Sequence, residues 1–292
     1  MSKIGLIDVD SHNFPNLALM KISAYHKSKG DQVEFWNGLK HYDRVYKSKI
    51  FDETYTQDVD YCIMADEIIK GGTGYDLKNK LPNEIEHQYP DYDLYEIKDR
   101  AYGFLTRGCP RGCKFCIVKE KEGNTHTVAD LNEFWNGQKE IILMDSNITA
   151  SQDCERHFDN LIKSKAIINF EGGLDIRFLT DKGADQLNQM QTSMIHFAWD
   201  NYEFKTYEKL KRFRPMLKKN GRNLRVYVLT NFNTTHEQDI ERIYKLKELD
   251  YDPYVMIYDK PNAPQKTRHL QRWVNNKFIF RSVEKFEDYK NE

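Results

Sequence analysis

The chain has 292 residues, with 44 Lys and Arg against 45 Asp and Glu and a formal net charge of −1. That balance excludes whole-molecule charge as a guide to an anionic or cationic partner. Mean hydropathy is −0.78 and no apolar run nears the roughly 20 residues of a spanning helix, which argues against a membrane protein.

The first residues read as strand rather than as the apolar core of a signal peptide. A strand is predicted over 3–9. Leu17, Leu19, Met20, Ile22 and Tyr25 fall near helical spacing within 14–29, and Gly30 follows as a stop. Further strands are predicted over 32–36, 44–51 and 62–70, the last running into Gly71-Gly72-Thr73-Gly74. Strands alternating with helices imply a small parallel, doubly wound, Rossmann-like unit over 1–98. Its last part, rich in Pro and Tyr, reads as a connector.

A second alternating series begins near Ala101. Strands over 102–106, 140–145, 166–170, 193–199, 224–230 and 254–258 alternate with helices over 127–136, 153–165, 181–191, 205–220 and 235–249. The fold class is α/β. This second series matches a partial (β/α)6 TIM-like barrel over 99–262, with chemistry expected at the C-terminal strand ends. Residues 263–292 form a basic and aromatic segment expected to pack on the barrel.

The first barrel strand leads into Thr106-Arg-Gly-Cys-Pro-Arg-Gly-Cys-Lys-Phe-Cys-Ile. Cys109, Cys113 and Cys116 stand at C-x3-C-x2-C, with Phe115 before the third. Structural zinc sites and ordinary ferredoxin clusters close with four protein ligands. Three thiolates would leave one iron of a 4Fe-4S cluster open to a small molecule. Two plainer readings stand beside this one: a zinc site borrowing Cys154 or His126, or three unrelated buried thiols. The five cysteines do not make a disulfide framework, and a reducing cytoplasm fits them.

The spacing, the aromatic and the Arg-Gly lead-in together resemble the cluster loop of the radical S-adenosylmethionine (SAM) superfamily. The resemblance implies an enzyme that cleaves SAM reductively, using an external one-electron donor of the flavodoxin or ferredoxin type. A 5′-deoxyadenosyl radical would then abstract a substrate hydrogen. Only Cys62 and Cys154 lie outside the loop, so these residues cannot build a second cluster of three or four cysteines. That count argues against the methylthiotransferase branch.

The same resemblance directs attention to strand ends. Asp145, Ser146 and Asn147 stand where many members carry Gly-Gly-Glu and are expected at the SAM ammonium. Arg177 is expected at the SAM carboxylate, Trp199 and Asp200 at ribose, adenine or substrate, and Phe115 beside SAM. Each has a structural alternative: a turn or N-cap for Asp145, an ion pair with Asp175 or Glu171 for Arg177. Cys154 begins a predicted helix, where a thiolate is favoured, and is the catalytic candidate. Its alternative is an inert buried thiol.

Asp10-Ser-His12 follows the first strand, with Ser48 and Gly71-Gly72 later in order. Cobalamin-binding domains carry such residues, with His on cobalt and Asp orienting its other nitrogen. Here Pro15 replaces a glycine and the unit is short, so a degenerate domain covering the barrel mouth is the competing expectation. A cobalamin-dependent radical SAM methyltransferase is the first alternative function. A non-catalytic zinc and nucleic-acid-binding module is the second. Residues 205–225 hold nine basic residues and one acid, and 266–281 mix basic with aromatic side chains. RNA or an acidic peptide is therefore a better substrate expectation than lipid, although a solvated helix face is the plainer reading.

Overall fold

A computed structural model describes residues 1–58 and 62–289. The last three residues of the basic C-terminal segment lie outside that range. The chain opens with β1 (Lys3–Asp8), α1 (Leu17–Ser28), β2 (Gln32–Phe35), β3 (Tyr42–Ser48) and β4 (Ala65–Gly71). These strands form one sheet in the order β2-β1-β3-β4, every pair parallel. Asn16 caps α1, its Oδ1 accepting the Leu19 N–H at 3.2 Å. Ile4 and Leu6 pack against Leu19 and Ile22 of α1. On the opposite face Ile7, Tyr42 and Val45 pack with Trp36 and Ile63. Side chains, rather than a second helix, cover that face among the described residues. The connection over 36–41 is too short to carry one.

A short α2 (Asn83–Glu86) and the buried Tyr92 lead to the second series. The Tyr92 hydroxyl donates to the Phe134 carbonyl at 2.6 Å and accepts the Tyr102 N–H at 3.0 Å. Next come β5 (Arg100–Gly103), β6 (Thr106–Arg107), α3 (Val118–Glu122), β7 (His126–Thr127) and β8 (Glu140–Leu143). They are followed by α4 (Cys154–Ser164), β9 (Ile167–Phe170), α5 (Asp181–Gln189), β10 (Ile195–Ala198) and α6 (Phe204–Phe213). The chain then runs through β11 (Leu224–Thr230), α7 (His236–Glu248), β12 (Asp252–Ile257), α8 (Gln265–Asn275) and α9 (Lys277–Ser282).

Two parallel sheets, β5-β8-β9 and β10-β11-β12, stand in chain order. A bridge between Ile167 and Gln191 and the Leu174 N–H on the His196 carbonyl (2.7 Å) join them into one arc. The six-strand expectation holds. One predicted helix does not: residues 127–136 carry β7 and a single 3-10 turn, Leu131–Glu133. Thr127 is drawn into a two-residue antiparallel ladder with Thr106, and the Val128 N–H donates to the Leu105 carbonyl at 2.9 Å. The predicted helix over 205–220 stops at Phe213, where Arg214–Met216 tightens into a 3-10 turn around Pro215.

β11 shows how the arc is built. Leu224, Val226, Val228 and Thr230 are buried, while Arg225, Tyr227 and Leu229 between them are half-buried. This period of two turns one face to the helices and the other to the hollow of the arc. A single core gathers side chains from β8 to β11 and α4 to α6, and takes in Leu17 and Met20 of α1. Among the described residues no helix is long and apolar enough to cross a membrane.

Candidate functional site at the mouth of the arc

β6 and β7 pair antiparallel, so the cysteine loop is the excursion of a small hairpin standing on β5. Its base is tightly fixed. Gly108 has φ +84°, and a Cβ there would lie 2.4 Å from the Asn124 carbonyl oxygen, so glycine is required. The Cys109 N–H donates to the Gly123 carbonyl at 3.0 Å. Glu122, which the motif did not single out, organises this base. Its carboxylate accepts the Gly108 N–H (2.9 Å), Arg107 Nη1 (2.9 Å) and the Ser146 hydroxyl (3.2 Å). Burial pushes the Glu122 carboxyl up, but the Gly108 N–H and Arg107 outweigh it and hold it below its ordinary value.

Asp145 locks the other side of the hairpin. It is buried at 3% exposure; its oxygens accept the Thr106 N–H (2.5 Å), the Thr106 hydroxyl (2.6 Å) and the Leu105 N–H (3.2 Å). Burial pushes its carboxyl up to about 6 against those donors. Two of the three residues expected at the SAM ammonium are thus engaged in holding the loop, Asp145 through Thr106 and Ser146 through Glu122. Gly172 completes the junction, since a Cβ there would meet the Asp145 carbonyl at 2.0 Å. Close backbone approach accounts for the glycine after β9.

Asn147 joins the loop to the next strand ends. Its Nδ2 donates to Cys109 Sγ at 3.3 Å, and its Oδ1 accepts the Thr149 hydroxyl at 3.0 Å. Arg177 grips Asp175 in a fork, Nε to Oδ1 at 2.6 Å and Nη2 to Oδ2 at 2.8 Å. Burial pushes the Asp175 carboxyl up, and the Arg111 charge works against it. Arg111, inside the cysteine motif but passed over in sequence, points its Nε at Cys113 Sγ (3.4 Å) and its Nη2 at Glu203 (4.0 Å). Partial desolvation raises the Cys116 thiol, and the Cys113, Cys109 and, least, Asp200 charges add to it. Burial raises Asp200 itself, against Arg242 and Arg111. The strand ends therefore bring Asn147, Asp175, Arg177, Asp200 and Glu203 to the three cysteines.

Other predicted residues go elsewhere. Trp199 is buried and stacks on Tyr207 of α6 at 5.7 Å and 22°, facing the helix layer. Its Nε1 has no hydrogen-bond partner among the described residues. Phe115 stands edge-on to Phe232 at 5.3 Å, and Phe232 to Tyr258 at 4.8 Å, so the loop leans on the ends of β11 and β12. Cys154 does begin α4, but burial pushes its thiol up to about 12, which opposes the thiolate a helix start favours. Arg242, fully buried on α7, donates to the Trp199, Asp200 (3.1 Å) and Leu229 (2.7 Å) carbonyls and to Asp239 (2.5 Å). It ties β10 and β11 together at the mouth. No motif marks it; the signal was a cation at a core-facing position of a helix.

Asp10 is buried, and its two oxygens accept the Ile50 (2.7 Å) and Phe51 (2.8 Å) N–H groups. His12 is exposed at φ 51°. Ser48 Oγ accepts Asn16 Nδ2 at 2.9 Å, Gly71 ends β4, and Gly72 faces the Lys49 carbonyl. With its carboxylate spent on backbone, Asp10 does not orient His12, so these residues do not fit the Asp–His–cobalt arrangement.

The donor set suits an iron–sulfur cluster: three thiols within eight residues, on one loop with glycine at its base. Among the described residues no three His, Cys, Asp or Glu side chains converge as ligands of one ion. A multi-iron cluster instead takes each thiolate on a separate iron. Several residues of the basic stretches are paired within the chain. Arg212 meets Asp181 at 2.7 Å, Arg225 meets Asp252 at 2.8 Å, and Lys277 meets Asp252 at 2.7 Å. Trp273 and Phe280 are buried. A groove of about 640 Å³ lies between residues 130–136 and α4, away from the cysteines. There Arg156 pairs with Asp130 at 3.0 Å.

No family model matches the chain. It is 34% identical over 100 residues, 31% of this chain and 23% of the relative, to a tRNA-2-methylthio-N(6)-dimethylallyladenosine synthase of Endomicrobium trichonymphae. It is 32% identical over 81 residues, 24% of this chain and 18% of the relative, to the ribosomal protein uS12 methylthiotransferase RimO of a Thermotoga species. The chain spans less than a quarter of the length of these curated relatives. In fold it is similar to the radical S-adenosylmethionine methyltransferase TsrM of Kitasatospora setae, solved with cobalamin and a 4Fe-4S cluster bound. The TM-score is 0.67 at 11% identity, over 88% of this chain and 75% of that one.

Proposed function

We propose that this chain is a radical SAM enzyme that binds a 4Fe-4S cluster on Cys109, Cys113 and Cys116 and cleaves SAM there. The observation that carries the reading is the placement of three thiols on one glycine-hinged loop at the C-terminal ends of an arc of parallel strands. When bound, cluster and SAM would together supply a 5′-deoxyadenosyl radical able to abstract hydrogen from substrate.

The chain's own residues supply position and exclusion of water. Glu122 and Asp145 hold the loop on β5 and β8, through the bonds to Gly108, Thr106 and Leu105. Arg177, held flat by Asp175, and the carboxylates of Asp200 and Glu203 surround the cysteines with groups suited to the carboxylate and ammonium of an amino acid. Trp199 supports the wall from behind. In this reading residues 1–98 cover the mouth, 99–262 carry the chemistry and 263–292 close the edge of the arc.

The relatives supply no substrate for this chain. A peptide or RNA substrate remains our proposal over lipid, and cobalamin is left out because Asp10 and His12 do not pair. The test is anaerobic reconstitution with iron and sulfide, then dithionite and SAM. The expected result is four irons and four sulfides per chain and release of 5′-deoxyadenosine, lost in Cys113→Ala. One zinc per chain with no sulfide would favour the non-catalytic binding module.

A further inference from the structure

Two of the three cysteine sulfurs receive a side-chain hydrogen bond. Cys109 Sγ takes Asn147 Nδ2 at 3.3 Å, and Cys113 Sγ takes Arg111 Nε at 3.4 Å. The two donors differ in charge. Asn147 offers a neutral amide, whereas Arg111 brings a full positive charge. Arg111 is also fixed. Its side chain is 22% exposed, and Glu203 holds the far end of its guanidinium.

We propose, resting on the cluster reading above, that Arg111 and, more weakly, Asn147 set the reduction potential of the cysteine-bound cluster through N–H···S bonds. An electron added at thiolate-ligated iron increases negative charge on the sulfurs. A donor aimed at sulfur therefore stabilises the reduced form more than the oxidised form and raises the potential. A charge-assisted bond is roughly twice as strong as a neutral one, so Arg111 should dominate. The setting makes this contribution matter. Asp175, Asp200 and Glu203 stand on the same rim and oppose the added electron, and Arg111 interacts with Cys113, Asp175 and Glu203 together. Arg111 is thus a positioning residue for charge at the loop rather than a ligand.

The experiment compares wild type, Arg111→Gln, Arg111→Lys and Asn147→Ala after anaerobic reconstitution. Iron and sulfide are assayed, and the midpoint potential is read by EPR-monitored redox titration without SAM. The expected order of potentials is wild type highest, then Asn147→Ala, with Arg111→Gln lowest. Arg111→Lys should fall between wild type and Arg111→Gln, because it keeps the charge but loses the guanidinium Nε–H. An unchanged potential in Arg111→Gln carrying wild-type iron and sulfide overturns the proposal. If Arg111→Gln fails to hold iron, Arg111→Lys carries the test, and a wild-type potential there overturns it equally. Loss of iron from both Arg111 variants also overturns it, in favour of a purely structural role. Failure of wild type to take up iron and sulfide rejects the cluster reading itself, a separate outcome.

Discussion

Asp145 shows how a residue chosen for one task in sequence is committed to another in three dimensions. An acid at a strand end looks like a ligand for an ammonium group. In the fold its two oxygens receive three donors from Leu105 and Thr106. The sequence cannot reveal this, because the donors lie about 40 positions away, on the other side of the cysteine loop. Burial leaves a measurable trace. The Asp145 carboxyl stands at about 6 in the folded chain against an ordinary 3.8. The folded state keeps a proton that the unfolded chain has released between those values. The contribution of Asp145 to stability is therefore fully present below about pH 4 and lost as pH rises through about 6. The loss should be at most about 3 kcal/mol. Denaturant titrations across this range should show that slope, and Asp145→Asn should remove its share of it. A variant with the wild-type slope would assign the effect to other groups.

Elements were read best where the period was cleanest. β11 alternates over its whole length, and its predicted bounds match the observed ones. The 127–136 segment fails because its apolar residues carry no strong period and Thr127 is claimed by a partner strand. β12 illustrates what sequence reading of single elements omits. Its outward-facing backbone groups would be a bare sheet edge. Pro253 presents no N–H there, and Lys277 Nζ meets its carbonyl at 2.6 Å. Asn275 of α8 closes the remaining gap, its Oδ1 accepting the Val255 N–H at 2.8 Å and its Nδ2 donating to the Val255 carbonyl at 3.0 Å. Asn275→Ala strips both bonds and should cost about 1–3 kcal/mol. Chemical denaturation measures the cost, and faster amide exchange at Val255 would locate it. Unchanged exchange at Val255 would show that the edge does not depend on Asn275.

At the scale of the molecule, the first unit and the arc share contacts that neither stretch announces alone. Leu17 and Met20 of α1 enter the main core. Lys121 of α3 reaches Thr73 in the glycine turn after β4, so the cysteine hairpin also touches the first unit. With apolar side chains shared across the junction, the two should unfold together. Tryptophan fluorescence and far-ultraviolet circular dichroism should report one coincident transition, and Met20→Ala should lower it by about 2–5 kcal/mol. Two separated transitions would refute this coupling.

By itself the sequence determined the α/β class, the six-strand series and the cysteine loop, because periodicity and ligand spacing are local properties. Arg177 and Asp175 were also legible as a pair, two positions apart. Tertiary structure alone decided what surrounds the loop. It brought Glu122 to Ser146, Asn147 to Cys109 and Glu203 to Arg111, and it turned Trp199 toward the helices and Cys154 into the packing. The physical reason is that hydrogen-bond partners and burial depend on which distant strand ends the arc brings side by side, and no local pattern encodes that.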